Sequence, residues 1–190
     1  MKTNNNLNDR FHRSARELKK TRTIVICAML IALKLTLDAL NLRIVITPQL
    51  RITFGFLSSA LGGMLFGPVP GIMIGTAGDL IGYFINSGGG PYFPGFTISA
   101  AIAGLFWGIG FYERKVTYVR ALLTKGSINL LVNILLNSLW LKILYNKAML
   151  AELPLRIAKN VIMLPIEALI VVLVSSMIKQ AYDRAYKNKP

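Results

Sequence analysis

The chain has 190 residues, of which 54% are hydrophobic and 16% charged, and its mean hydropathy is +0.53. This composition excludes an ordinary water-soluble domain, in which about 25% of residues are charged. The formal net charge of +14 fits basic residues at the inner surface of a membrane and disfavours a nucleic-acid partner. The sequence therefore predicts an integral membrane protein in contact with the lipid bilayer.

The first part of the chain, residues 1–22, is a basic leader. Phe11, Ala15 and Leu18 recur at helical spacing among its lysines and arginines. This pattern is compatible with an amphipathic helix on the inner membrane surface, and a disordered leader is an equal alternative. No small-residue cleavage site ends the apolar run that follows, so we expect a retained first membrane span rather than a signal peptide.

Six apolar segments follow, separated by glycine, proline and charged residues, and they predict six membrane helices in one domain over residues 23–180. The predicted spans are residues 23–42, 52–66, 71–85, 97–111, 127–145 and 156–178. Residues 52–112 contain a single charged side chain, Asp79, which leaves no polar face for a soluble helix. A short basic tail occupies residues 181–190.

Lysine and arginine concentrate in the leader, in the connection between the fourth and fifth spans, and in the tail. With six spans, these three regions lie on one side of the membrane, which the positive-inside rule makes the cytoplasmic side. We therefore expect a multi-pass protein of the cell membrane with both termini in the cytoplasm. The loops that contain Arg43, Arg51, residues 88–90 and Lys147 are expected on the outer side.

Asp79 is the most informative charged residue of the predicted spans. A carboxylate at the middle of a membrane helix costs about 2.5–3.5 kcal/mol on insertion scales, so it should face protein, water or a ligand. Asp79, Tyr83 and Asn86 follow each other at intervals that place them on one helix face. We favour an acceptor for a polar substrate, and a carboxyl that bonds to a neighbouring helix is the alternative.

A second polar stripe lies on the fifth predicted span. Asn129, Asn133, Asn137 and Trp140 recur there at helical spacing. Such a stripe indicates either a polar cavity, which we favour, or hydrogen bonds between helices. Lys159, near the outer end of the sixth span, would lie at the mouth of the same cavity.

The sequence lacks the usual motifs of energy-coupled and metal-dependent catalysis. It has no GxxxxGK[ST] phosphate loop and no HExxH, and its one histidine is His12 in the leader, so we expect no enzyme activity, no metal and no cofactor. An intramembrane aspartyl protease using Asp38 and Asp79 is a weak alternative, because the GxGD spacing is missing. Asp38 could instead pair with Lys34 one helical turn earlier.

Five stretches carry a family resemblance: "AMLIAL", "LRITFGFLSSALGGMLFGPVPG", "AGDLIGYFINSGGGPYFPGFTISAAIAGLFWGIGFY", "NSLWLKILY" and "LPLRIAKNVIMLPIE". Together they are similar to the folate-specific substrate-binding subunit, or S component, of energy-coupling factor (ECF) vitamin transporters. The similarity covers residues 23–178, and "PYFPGFT" and "RIAKN" are its parts most specific to the folate branch. It implies an all-α membrane fold of six transmembrane helices around an outward-facing binding cavity.

The resemblance also implies a transport mechanism. An S component binds its vitamin outside and delivers it inward by reorienting with a membrane-embedded T component, which two cytoplasmic ATPase subunits drive. Ala28 and Ala32, an AxxxA pair, are the implied T-component contact. An S component for another vitamin and a solitary carrier without ATPase partners remain alternatives.

The segment "INSGGGPYFPGFTIS" is irregular and uncharged. Irregular backbone at membrane depth is tolerated only where protein or a cavity covers it, which indicates a cap over a site. By resemblance to the family, this loop is a gate. Its glycines supply freedom and its prolines restrict it; the predicted gate residues are Gly88, Gly89, Gly90, Pro91 and Pro94.

Folate chemistry assigns roles to the remaining candidates. A pterin edge presents neighbouring N–H donors that Asp79 can accept, and its flat ring favours aromatic partners. The candidate aromatic residues are Phe54, Phe56, Tyr83, Tyr92, Phe93, Phe96 and Trp140. For the anionic glutamate tail, Arg51 is preferred over Lys159, because a guanidinium fits a carboxylate better than an ammonium. The sequence does not distinguish folic acid from reduced or formylated folates.

Overall fold

The computed structural model describes residues 7–40, 43–45, 51–85, 91–145 and 153–186. Within these ranges the protein is helical, apart from one short two-stranded hairpin. The fold is that of an all-α membrane protein, as the sequence predicts, and the spans differ from the predicted ones mainly at their ends.

Helix α1, Leu7–Glu17, lies in the leader, and a short turn connects it to α2, Thr21–Ala39. The face of α1 that packs against the domain contains Arg10 and Ser14, both of which are buried. The spacing of Phe11, Ala15 and Leu18 suggests another face, yet Ala15 is exposed and the other two are only half-buried. Polar contacts, rather than apolar spacing, determine how this helix docks.

A hairpin separates the first two membrane helices. Strand β1, Arg43–Val45, pairs antiparallel with β2, Arg51–Thr53, and α3 then covers Phe56–Phe66. The predicted second span begins too early, at residue 52, because its first residues belong to β2. At about 1.5 Å per residue, α3 is about 16 Å long and crosses only part of the membrane.

Helices α4, Pro68–Ile85, and α5, Pro94–Phe111, form the tightest pair of the bundle. Both begin three residues before the predicted start, because proline is well tolerated in the first turn of a helix. A Cβ placed on Gly104 would collide with the carbonyl oxygen of Gly71, and one on Gly75 would collide with the carbonyl of Ala100. The two backbones therefore touch with no side chain between them.

The fifth membrane helix runs without a break through three segments. It consists of α6, Tyr118–Ile128, a π-helical segment, Asn129–Leu136, and α7, Asn137–Tyr145. The predicted start at residue 127 is wrong by nine residues, because Arg120 and Lys125 resemble loop charges in the sequence. The sixth, α8, covers Leu153–Tyr186, includes Pro165 in its interior, and extends beyond both ends of the predicted span.

Four helices of the described residues are long and apolar enough to cross a membrane: Pro68–Ile85, Pro94–Phe111, Tyr118–Leu144 and Leu153–Arg184. Helix α3 is apolar but shorter, and α2 carries Arg22, Lys34 and Asp38 among its apolar residues. The core is apolar, with Ile74, Trp107, Phe111 and Val171 almost fully buried. Many large apolar side chains remain exposed around the bundle, as expected of a surface that faces lipid.

Candidate binding site

Asp79 meets the start of α5 at the end of the bundle remote from α1. The Thr97 hydroxyl donates to Asp79 Oδ2 at 2.7 Å and lies 3.0 Å from the Tyr92 hydroxyl, from which it accepts. Thr97 is buried, and it is the residue of this group that sequence analysis misses. An ionised carboxylate has about four acceptor sites, and the bond from Thr97 to Oδ2 uses one of them. Asp79 can therefore also accept hydrogen bonds from a ligand.

Five of the predicted aromatic residues lie in two neighbouring ring groups. Tyr83 contacts Tyr92 edge to face, with ring centroids 5.2 Å apart. Phe93 lies 5.7 Å from Trp140 and 6.0 Å from Phe96. Tyr92 shares the Thr97 hydroxyl with Asp79, so the first ring group is linked to the carboxylate through Thr97.

Trp140 fixes α7 to α5. Its indole N–H donates to the Ser99 hydroxyl at 3.0 Å, and Ser99 is almost fully buried. A Cβ on Gly95 would lie 2.6 Å from the Trp140 ring, so only glycine allows the indole to approach this closely. Ser99 and Gly95 give no signal in the sequence that would single them out.

Phe54 and Phe56 flank Gly55, where β2 leads into α3. Phe56 stacks on Trp107, with centroids 6.4 Å apart, and the Lys125 ammonium lies 4.4 Å from its ring centroid. Phe54 is half-buried, and its carbonyl accepts from the Leu57 N–H at 3.0 Å. Arg51 is the first residue of β2 and pairs with Val45, and only its backbone is described.

The asparagine stripe of the fifth span is mostly engaged in protein contacts. Asn129 Nδ2 donates to the backbone oxygen of Asn160 at 3.1 Å, and Asn133 Nδ2 donates to Asn129 Oδ1 at 2.9 Å. The first bond joins the π-helical segment to α8, which agrees with the alternative of hydrogen bonds between helices, and the second lies within the segment. Asn137 differs, because its side-chain oxygen is buried and has no hydrogen-bond partner among the described residues. Lys159 is half-buried on α8.

The predicted gate is described only in part. Pro94 is the first residue of α5, and Pro91 is exposed three residues before it. Gly88, Gly89 and Gly90 lie outside the described residues. On α2, Ala28 and Ala32 are both exposed, so this face is open to a partner helix or to lipid.

Lys34 and Asp38 form an ion pair at 2.8 Å, which confirms the one-turn pairing expected from the sequence. Lys34 Nζ also donates to the Gly78 carbonyl at 3.2 Å, directly before Asp79. Asp38 therefore pairs with Lys34, and the same ammonium contacts the backbone beside Asp79. Among the described residues, no group of three His, Cys, Asp or Glu side chains could hold a metal ion.

A separate polar cluster lies at the α1 end of the bundle. The buried Arg10 guanidinium donates to the carbonyl oxygens of Ile109, at 3.3 Å, and of Tyr112, at the last turn of α5. The Ser14 hydroxyl accepts from the Val69 N–H, at 3.0 Å, in the first turn of α4. Helix α1 thus caps the end of one membrane helix and the beginning of another.

Burial and ion pairing shift several pKa values in this cluster. Burial lowers the pKa of Arg10 and raises the pKa of Tyr112 to about 12. The hydrogen bond from Arg13 to Glu113, at 2.7 Å, raises the pKa of Arg13. The raised pKa values keep Arg13 charged and Tyr112 protonated at neutral pH.

A cavity of about 290 Å³ lies at this same end, among Glu17, Lys20, Arg22, Lys179 and Asp183. Its opposite charges already pair in part, since Lys20 Nζ lies 2.7 Å from Glu17 Oε1. Tyr112 also lines it, and fifteen residues of helix, or about 22 Å, separate Tyr112 from Thr97. This cavity is therefore distinct from the Asp79 site.

Known proteins resemble this chain over most of its length. Residues 22–175 match the family described as "ECF transporter, substrate-specific component". The folate transporter FolT of Clostridium novyi is 38% identical over 155 residues, covering 81% of this chain and 88% of its own length. The folate transporter FolT of Leuconostoc mesenteroides is 35% identical over 153 residues, covering 77% and 80%.

A solved structure, FolT bound with folic acid, superposes on this fold with a TM-score of 0.72 at 30% identity. It covers 83% of this chain, and the match covers 95% of the FolT chain. The family is one of transporter binding subunits and not of enzymes. The chain belongs to the family of substrate-specific components of ECF transporters.

Proposed function

We propose that this protein is a high-affinity folate-binding S component, with Asp79 as the acceptor for the pterin. One observation carries the proposal: the Asp79 carboxylate lies beside the Thr97 hydroxyl and the Tyr83 and Tyr92 rings. A flat heterocycle with neighbouring N–H donors matches a carboxylate bordered by aromatic faces. The relatives named as folate transporters favour folate over other vitamins of this chemistry.

The two ring groups have different roles in this proposal. Tyr83 and Tyr92 flank the pterin near Asp79, while Phe93, Phe96 and Trp140 supply the wall from α5 and α7. Asn137 adds a buried acceptor without a partner among the described residues, and an N–H of the ligand would satisfy it. Asn133, which already bonds to Asn129, contributes mainly by keeping this wall in place.

The anionic glutamate tail points away from Asp79 toward cationic residues at the mouth of the cavity. Arg51, on the hairpin, is the preferred partner, and Lys159 on α8 is the second. Phe54 and Phe56 line the wall that continues from the hairpin. The loop around Pro91 and Pro94, with the three glycines before it, closes over the bound ligand.

The transport cycle follows from the family. Folate binds from outside, both termini remain in the cytoplasm, and the loaded subunit reorients with a T component driven by two cytoplasmic ATPase subunits. The exposed Ala28 and Ala32 supply the surface for the T component. If Ala32→Trp left uptake intact in cells that contain these partners, this contact surface would be wrong.

The direct test is a calorimetric titration of the purified full chain with folic acid, thiamin and riboflavin in separate experiments. We expect saturable binding of folic acid and none of the other two at the same concentrations. Preferential binding of thiamin or riboflavin would overturn the choice of substrate. Co-purification with a T component distinguishes the S component from a solitary carrier.

A further inference from the structure

A buried ion pair between α6 and α8 has no role in the proposed binding site. Lys125 Nζ lies 3.1 Å from Glu167 Oε2, and the two side chains are only 6% and 14% exposed. Charges inside a membrane bundle are costly, and where they occur they usually serve function. The pair therefore indicates a role beyond helix packing.

The Lys125 ammonium also contacts an aromatic ring. It lies 4.4 Å from the centroid of Phe56, whose other neighbour is Trp107, stacked at 6.4 Å with an interplanar angle of 20°. Trp107 is 1% exposed. Phe56 thus lies between a cation paired with Glu167 and a buried indole, and a cation–π contact is strongest when desolvated.

Phe56 lies where the hairpin joins the bundle. It is the first residue of α3, three residues after the end of β2, and the Leu57 N–H donates to the Phe54 carbonyl at 3.0 Å. A Cβ on the intervening Gly55 would lie 3.1 Å from Asp38 Oδ1, so the joint is also confined on the α2 side. Moving Phe56 would therefore move Phe54 and the end of β2.

We propose that Lys125 and Glu167 are positioning residues for the ligand site, acting through Phe56 on Phe54 and on Arg51 of the hairpin. This inference rests on the proposed function, in which the hairpin contributes to folate binding. The pair touches no ligand itself. Its loss should weaken folate binding separately from any effect on folding.

The test removes both charges, because removing one partner leaves the other buried and unpaired. For K125M/E167Q we expect the Kd for folic acid to rise about tenfold, measured by calorimetry on the purified full chain. K125R keeps the cation and should bind within about twofold of the original chain. R13Q/E113Q removes the exposed pair at the α1 end and should leave the Kd unchanged.

A double-mutant cycle with F56L identifies the route. Added to F56L, the K125M/E167Q change should cause no further loss of affinity, because its effect passes through the missing ring. An unchanged Kd in K125M/E167Q, even with a lower unfolding temperature, would overturn the positioning role, as would additive losses in the cycle. If the original chain failed to bind folic acid, the proposed function itself would be wrong.

A milder variant covers the case in which K125M/E167Q does not fold. E167D keeps the charge but shortens the side chain, which draws the ammonium away from Phe56. We expect it to raise the Kd about threefold. Unchanged binding by a folded E167D protein would also overturn the proposal.

Discussion

The α4–α5 pair and the α6–α8 pair hold this protein together by opposite means. Helices α4 and α5 meet backbone to backbone at glycines such as Gly71 and Gly104. Between α6 and α8 the contacts are made by side chains, namely an ion pair and an amide cluster around Asn129 and Asn160. A Cβ on Gly126 of α6 would lie 3.8 Å from the nearest atom, an ordinary contact distance. The difference indicates that α4 and α5, which present Asp79 and Thr97, leave no room for an added methyl group at these glycines, whereas the polar wall between α6 and α8 has room for one at Gly126.

The π-helical segment and Pro165 strengthen the contrast. Both interrupt the regular α-helical hydrogen-bond pattern, one on each helix of the polar wall. Side-chain hydrogen bonds from Asn129 and Asn133 join the two helices at this level. We therefore expect an added methyl group at the glycine contacts of α4 and α5 to impair folding, and the same addition at Gly126 of α6 to be tolerated.

The largest expected effect is that of Gly104→Ala. Its Cβ would collide with the Gly71 carbonyl and force the two helices apart, which we expect to cost about 3 kcal/mol. The matched control is Gly126→Ala on α6, where the nearest atom, on Leu164, would lie 3.8 Å away. Helix propensity should make that control neutral or more stable by up to about 1 kcal/mol. Equal losses in thermal unfolding would contradict the contrast.

The next effect concerns the α1 end at high pH. The pKa of Tyr112 is raised to about 12, above its ordinary value of 10, so the folded state holds the phenol proton more tightly than the unfolded state. The contribution of the Tyr112 proton to the free energy of unfolding is complete below pH 10. It is lost as the pH rises through about 12, by up to about 2 kcal/mol.

Urea unfolding between pH 9 and pH 12 measures this loss. Tyr112→Phe should remove that part of the pH dependence, whereas the exposed Tyr118→Phe should retain it. A Tyr112→Phe protein that loses stability as steeply as the original would show that other groups account for the slope.

The smallest expected effect is that of Ser14→Ala. It removes the acceptor for the Val69 N–H at the first turn of α4 and should cost about 1 kcal/mol. Ser176→Ala is the matched control, because its exposed hydroxyl donates to the Leu173 carbonyl of its own helix. Equal unfolding temperatures for the two variants would mean that α1 does not cap α4.

Sequence patterns were most informative at positions where the membrane makes a residue type energetically costly. Asp79 stands out because a carboxylate is costly there, and the aromatic residues beside it stand out by composition. Thr97 and Ser99 are small polar residues that occur commonly in membrane helices, so the sequence does not single them out. Their bonds to Asp79 and Trp140 are seen only in the structure. The docking of α1 through Arg10 was equally hidden, because a basic leader already fits the positive-inside rule.

Lys125 shows the opposite limit. In the sequence it belongs to a cluster of basic residues that marks a loop, and only the approach of Glu167, 42 residues later, reveals a buried pair. The start of α3 was misplaced for a related reason, since strand and helix residues are equally apolar in a short segment. Long-range pairing, rather than local pattern, decided both cases.

The most direct test of the account compares two carboxylates one at a time. Asp79→Asn should raise the Kd for folic acid about a hundredfold, because it removes the charge that accepts from the pterin, while Glu113→Gln at the α1 end should leave the Kd unchanged. Calorimetry on both purified variants, with unfolding temperatures as a check on folding, gives the comparison. A folded Asp79→Asn protein that binds folic acid as tightly as the original would contradict the assignment of this site.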